Sequence, residues 1–206
     1  MGTELTSKGE ATRARIVDAA YELFMEQGYH GTSMRQIVER AGITMGGIYN
    51  HFAGKEKIWE AVFMEKHPYR EIMPLLLSAE GDTIAEFMSS AATRLVNDLG
   101  QRTDLLNLMF IELLEFKGEH LADLLNAVRP ELNRMREIFT KKRGQLRPIS
   151  MAVLTRSFAG LFFSFYITER LMPEELRPAM GSDALEKFVN IYLYGILDES
   201  NGARHD

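Results

Sequence analysis

Residues 32–57 read TSMRQIVERAGITMGGIYNHFAGKEK, and the punctuation of this run decides the fold. Thr32 and Ser33 stand before an apolar-periodic segment. Gln36 lies three positions after Ser33, the spacing at which a hydroxyl and an amide satisfy each other's orphan backbone donors at a helix start. Ile37, Val38 and Ala41 supply one apolar face, and Gly42 is the left-handed stop that a tight inter-helix turn requires. Thr44 is the next N-cap candidate; Ile48 and Phe52, four apart, face inward from a second, very short helix over Met45 to His51. Lys55 then opens a third helix.

This is the pattern of a helix-turn-helix, and it implies contact with duplex DNA. Gly46 and Gly47 sit inside the second helix, where each costs about 1 kcal/mol relative to alanine. A helix bared in this way lets its backbone approach groove walls while neighbouring side chains reach bases and phosphates. The alternative is a loosely formed turn near a helix start. The expected DNA contacts are Thr32, Arg35, Thr44, Met45, Gly46, Gly47, Tyr49, Asn50, His51 and Lys55. Within this set Thr44, Met45, Asn50 and Arg35 discriminate bases, while Tyr49, His51 and Lys55 hold phosphates beside the first amides of the next helix.

Working outward, Ile16, Ala19, Ala20, Leu23 and Phe24 give a helix over about residues 11–27 an apolar stripe, and Gly28 stops it. Tyr29 reads as a packing residue at that junction. After the short helix, Lys55 to about His67 carries Ile58, Trp59, Val62 and Phe63 inward, and Pro68 and Pro74 break or kink the helix beyond it. The run from Arg15 to Val62 closely resembles the DNA-binding domain of TetR-family transcriptional regulators. The resemblance rests on Ala19-Ala20, Leu23-Phe24, Gly28-Tyr29, Thr32-Ser33-Met34, Ala41-Gly42-Ile43, Tyr49-x-His51-Phe52 and Lys55-Glu56. In place of the serine or similar cap common before the lysine, this chain has Ala53-Gly54.

The chain has 206 residues, 46% of them hydrophobic, enough for a helical core. It contains no cysteine, which excludes disulfides, thiolate zinc sites and a thiol nucleophile, and fits a reducing compartment. Its start lacks a basic flank followed by an apolar core, and its longest apolar candidate, Leu161 to Ile167, is far too short to span a bilayer. A cytoplasmic protein with no membrane partner is expected. The formal net charge is -5, and residues 1–66 carry eight basic against nine acidic side chains. Attraction to phosphates must come from local placement of Lys8, Arg13, Arg15, Arg35, Lys55 and Lys57, and a dimer on a palindrome would double the contacts.

The expected architecture is all-α, with about nine helices. A helix-turn-helix domain over residues 1–66 precedes a helical effector-binding and dimerisation domain over 67–206. Amphipathic segments cover about 83–100, 104–116 and 119–143, the last carrying Pro130 and ending in Lys141-Lys142-Arg143, which suit the negative end of its dipole. Residues 150–171 are apolar nearly all round, and about 182–198 repeat the theme. Two such helices from each of two chains make a four-helix interface, with Leu161, Phe165, Phe188, Tyr192 and Ile196 as candidates. The TetR resemblance implies the same homodimer.

The resemblance also implies an effector cavity in the second domain. Candidate lining residues are Met88, Arg94, Asn107, Phe110, Glu112, Phe116, Met135, Phe158 and Phe162, consistent with an apolar or amphipathic small molecule; the alternative for Glu112 is an exposed acidic edge. No cofactor or metal is expected. His30, His51, His67, His120 and His205 form no i, i+3 or i+4 pair, and neither a phosphate loop nor a nucleophile motif is present, so no catalytic residue is assigned. The expected function is a ligand-responsive DNA-binding transcriptional regulator, a repressor released from a palindromic operator. The alternatives are an activator or a helical protein-interaction module with the same fold.

Overall fold

The computed structural model describes residues 2–99, 104–142, 146–176, 179, 181 and 183–196; the side chains of Phe162 and Ile196 lie outside that description. Among the described residues the chain is helical and has no strand. It divides into two compact units. The first comprises Met1–Pro68 with Thr103–Ala127, and the second Tyr69–Arg102 with Val128–Asp206.

The first unit holds α1 (Gly2–Gly31), α2 (Met34–Ala41), α3 (Met45–Tyr49), α4 (Lys55–Lys66), α7 (Asp104–Glu115) and α8 (Leu121–Ala127). Gly28, at φ 76°, breaks the helical path of α1, so the final residues form a separate turn. Inside lie Ile16, Val17, Ala20 and Phe24 of α1, Ile37 of α2, Ile48 of α3, and Ile58, Trp59, Val62 and Phe63 of α4. The apolar stripes expected for this region therefore meet in one core. Residues 104–127, expected with the second domain, pack instead in this first unit. Periodicity identified their apolar faces but carries no information about what covers them.

The second unit holds α5 (Tyr69–Leu77), α6 (Ile84–Leu99), α9 (Arg129–Lys141), α10 (Met151–Leu171) and α11 (Ala184–Ile196), with a 3-10 turn at Glu174–Leu176. Ile84, Phe87, Met88, Ala92, Phe139, Leu154, Val189 and Leu193 form its core. Pro74 is accommodated inside α5. The segment expected as one helix over 119–143 is two, because Pro130 falls in the first turn of α9, where its missing N–H is harmless. The Lys142 ammonium does not cap its own helix. It donates to the carbonyls of Gly81 (2.6 Å) and Asp82 (3.0 Å). Gly81 sits at φ 146°, and a Cβ there would lie 2.4 Å from the Phe87 nitrogen, so glycine is required. No helix among the described residues is long and apolar enough to cross a membrane.

Candidate nucleic-acid interface

Local capping fixes α2 and α3. Ser33 is extended (φ -110°, ψ 155°); the Gln36 amide N–H donates to its Oγ at 3.3 Å, and the Ser33 N–H donates to Gln36 Oε1 at 2.8 Å. Gly42 adopts the left-handed conformation (φ 62°, ψ 43°), and Arg15 donates to the carbonyls of Ala41 and Gly42 just behind it. Thr44 caps α3 through an acceptor bond from the Gly47 N–H at 3.1 Å. Ile48 is fully buried and Phe52 nearly so. The remaining face of α3 is open.

That open face brings together most of the expected contacts. Arg35, Thr44, Met45, Gly46, Tyr49 and Asn50 are exposed, Tyr49 to 55%, and His51 is half-buried at the rim. Among the described residues Arg35 makes no ion pair or hydrogen bond, leaving its guanidinium available. The two glycines differ. A Cβ on Gly47 would meet Thr44 Oγ1 at 3.2 Å, so the cap itself crowds that position. A Cβ on Gly46 would meet nothing within 4 Å. The protein's own packing gives no reason for glycine at 46.

Two expected contacts turn inward. Thr32 is 1% exposed and donates to the Gly28 carbonyl at 2.9 Å. Lys55 donates to the carbonyls of Tyr29 (2.7 Å) and Thr32 (2.8 Å) and lies 4.2 Å from the Tyr29 ring centre, and burial lowers its pKa. Both residues therefore hold the α1–α2 turn against the start of α4 rather than reaching outward. Other expected cations are also engaged. Arg13 pairs with Glu65 (2.5 Å), and Lys57 with Glu60 (2.6 Å). Both are partly exposed pairs, worth little to stability. Gly54 precedes α4 without a side-chain cap, so no side chain competes for the first amides of that helix.

Behind α4 lies an aromatic seam. The Phe116 ring stacks on Trp59 (5.7 Å, 1° between planes) and meets Tyr29 (4.9 Å) and His120 (5.2 Å) edge-on. Such pairs contribute about 0.5–1.5 kcal/mol each beyond burial. Within the seam the Glu112 carboxylate, 2% exposed, accepts from Trp59 Nε1 (2.9 Å) and the His120 backbone N–H (2.8 Å). Neither the exposed acidic edge nor the ligand-facing role expected of Glu112 fits this placement, because both oxygens are occupied. His120 was missed by sequence reasoning. The available signal was an acid flanked by the apolar residues Ile111, Leu113 and Leu114 of α7, which demands buried donors from elsewhere.

The expected cavity residues fall in different units. Asn107, Phe110, Glu112 and Phe116 belong to the first; Met88, Arg94, Met135 and Phe158 belong to the second, where Met88, Met135 and Phe158 pack in or against the core and Arg94 donates to Ser78 Oγ (3.3 Å). The expected interface residues all lie in the second unit. Phe165 is buried and meets Phe188 edge-on (5.3 Å), Leu161 packs against the core, and the Tyr192 hydroxyl donates to the Leu154 carbonyl (3.1 Å). Among the described residues, Val153, Phe163 and Leu171 of α10 and Ile191 and Tyr194 of α11 are large apolar side chains left exposed. A helix apolar on nearly every side gives no phase by which to tell its own core from a partner.

Short capped helices meeting at a left-handed glycine, with the second helix open along one side, define a helix-turn-helix unit. Residues 16–62 match the family model described as bacterial regulatory proteins, tetR family. Over these residues the chain is similar to the DNA-binding segment of the tetR family. It is 41% identical over 69 residues to the HTH-type transcriptional regulator SrpR of Pseudomonas putida, covering 33% of this chain and 32% of that one. It is 29% identical over 110 residues to the HTH-type transcriptional regulator UidR of Escherichia coli K12, covering 53% and 56%. The matches thus span from a third to just over half of the length of these relatives. Across most of the chain the fold resembles NalD, the secondary repressor of the MexAB-OprM multidrug efflux pump in Pseudomonas aeruginosa. That likeness has a TM-score of 0.62 at 22% identity and covers 94% of this chain and 99% of that one.

Proposed function

We propose that this protein is a sequence-specific DNA-binding transcriptional regulator whose reading surface is the open side of α2 and α3. The observation that carries the reading is the division of this segment. Ile37, Ala41, Ile48 and Phe52 are buried, whereas Arg35, Thr44, Met45, Gly46, Tyr49 and Asn50 are exposed together. Arg35 suits bidentate contact with guanine and Asn50 with adenine, and Tyr49 with the first amides of α4 suits phosphate. Gly46 offers bare helix for close approach.

The regulator acts as a homodimer on a palindrome in the cytoplasm, as a repressor released by an apolar or amphipathic small molecule bound in the second unit. The exposed apolar residues of α10 and α11 support dimerisation, and the role of NalD as a secondary repressor supports the sign of action. Release comes from linkage. An effector that favours a DNA-incompetent arrangement lowers DNA affinity by the factor by which DNA lowers its own, about 1–3 kcal/mol in typical cases.

Selection of duplexes from a random pool by the purified protein tests this. The expected product is a palindrome whose half-site centres are one helical turn apart or a multiple of it. A featureless pool would replace this reading with that of a helical interaction module.

A further inference from the structure

We infer that Glu112 and His120 are positioning residues of the reading unit: with Trp59 and Phe116 they fix the hairpin of α7 and α8 to α4, making that hairpin part of the DNA-reading head. The inference rests on the DNA-binding reading above and adds the residues that hold the support behind it. The chain passes between the units at three places, after Pro68, before Thr103 and after Ala127. Two of these three are the ends of the hairpin.

The carboxylate makes hairpin and helix move together. Its Oε2 accepts from Trp59 Nε1 at 2.9 Å and lies 3.0 Å from His120 Nδ1, and its Oε1 accepts from the His120 backbone at 2.8 Å. Trp59, Glu112 and His120 are exposed by no more than 5%. An apolar side chain at 112 would pack in many registers. A buried carboxylate shared by donors from two other segments is satisfied in only one, since any slip leaves a buried polar atom unpaired. The His30 to Glu115 pair (2.5 Å) ties the same end of α7 to α1. From Trp59 the connection continues one helical turn back to Lys55, whose ammonium holds the carbonyl of Thr32 immediately before the Ser33 cap of α2. Arg35 stands on the first turn of that helix.

Trp59 is the chain's only tryptophan, so its emission reports on this network alone. The variant Glu112→Gln keeps the side chain's size but directs an NH2 at a donor. With helix content and oligomeric state unchanged, it is expected to shift Trp59 emission and to speed amide exchange in 55–66 and 104–127 together. It should also weaken binding to the duplex selected by the wild-type protein by about tenfold or more, the scale of one unsatisfied buried donor. If emission and exchange shift but affinity stays within about twofold, the positioning role is wrong. If neither shifts, the bridge is wrong. Should Glu112→Gln fail to fold, His120→Ala, which keeps the backbone bond to Glu112 but removes the Nδ1 contact and the ring packed on Phe116, is read in the same way. If the wild-type protein selects no duplex, the DNA-binding reading falls, and the joint exchange of the two segments still decides whether they move as one.

Discussion

The reading segment, residues 32–57, and the aromatic seam behind it are built by opposite means. In the segment almost every fixing contact is local: Ser33 to Gln36, Gly42 to Val38 and Glu39, Thr44 to Gly47. In the seam the contacts that join its elements are distant, with Trp59 bonded to Glu112 across 53 positions and Tyr29 packed on Phe116. The difference separates presentation from support. Local caps shape a surface that stays open, while the long-range seam stabilises the body that carries it. Substitutions in the seam should lower stability first, and substitutions on the open face should leave stability intact.

The largest effect is expected from Phe116→Ala, which removes the ring shared by Tyr29, Trp59 and His120. Denaturant unfolding should register a loss of about 3 kcal/mol. A loss no larger than that of a surface substitution would mean that the seam does not support the unit.

Acid should also separate the two regions. His67, packed against Phe63 at the end of α4, is held neutral by burial, its pKa lowered from 6.5 to about 4. Between these values the unfolded chain binds a proton that the folded chain refuses, so stability rises with pH through this window and falls as pH drops from about 6.5 towards 4. The loss approaches 2–3 kcal/mol, about 1.4 per pH unit. His67→Phe should flatten this slope in unfolding titrations.

A smaller loss belongs to Gly42→Ala. Its φ of 62° strains any L side chain, and the new Cβ would lie 3.1 Å from the Arg15 guanidinium. About 1–2 kcal/mol is expected, read by thermal unfolding. Unchanged stability would show that the α2–α3 turn is set by its surroundings rather than by its own glycine.

The same division explains what is legible in the sequence. Ser33, Gly42 and Thr44 are readable because their partners lie within a few residues and the stereochemistry permits few alternatives. The inward faces of α1 and α4 are readable because periodicity fixes their phase. Lys55 resembles a phosphate ligand because its acceptors, the Tyr29 and Thr32 carbonyls, belong to a turn more than twenty residues upstream. Glu112 is ambiguous for a related reason: an acid in an apolar helix announces a buried partner without naming it. In α10, Phe165 and Leu161 pack within their own unit, and near-uniform apolarity leaves that helix without a phase that marks a partner-facing side.

Gly46 gives the sharpest test of the reading surface, since it is exposed and nothing in the protein lies near the position its Cβ would take. Gly46→Ala should leave thermal stability unchanged or raise it by up to about 1 kcal/mol, because alanine is the better helix former. Measured beside the wild-type protein on the selected duplex, it should lose about tenfold or more in affinity, as a methyl group enters the space reserved for the groove wall. Equal affinity at equal stability would contradict the assignment of this face to DNA.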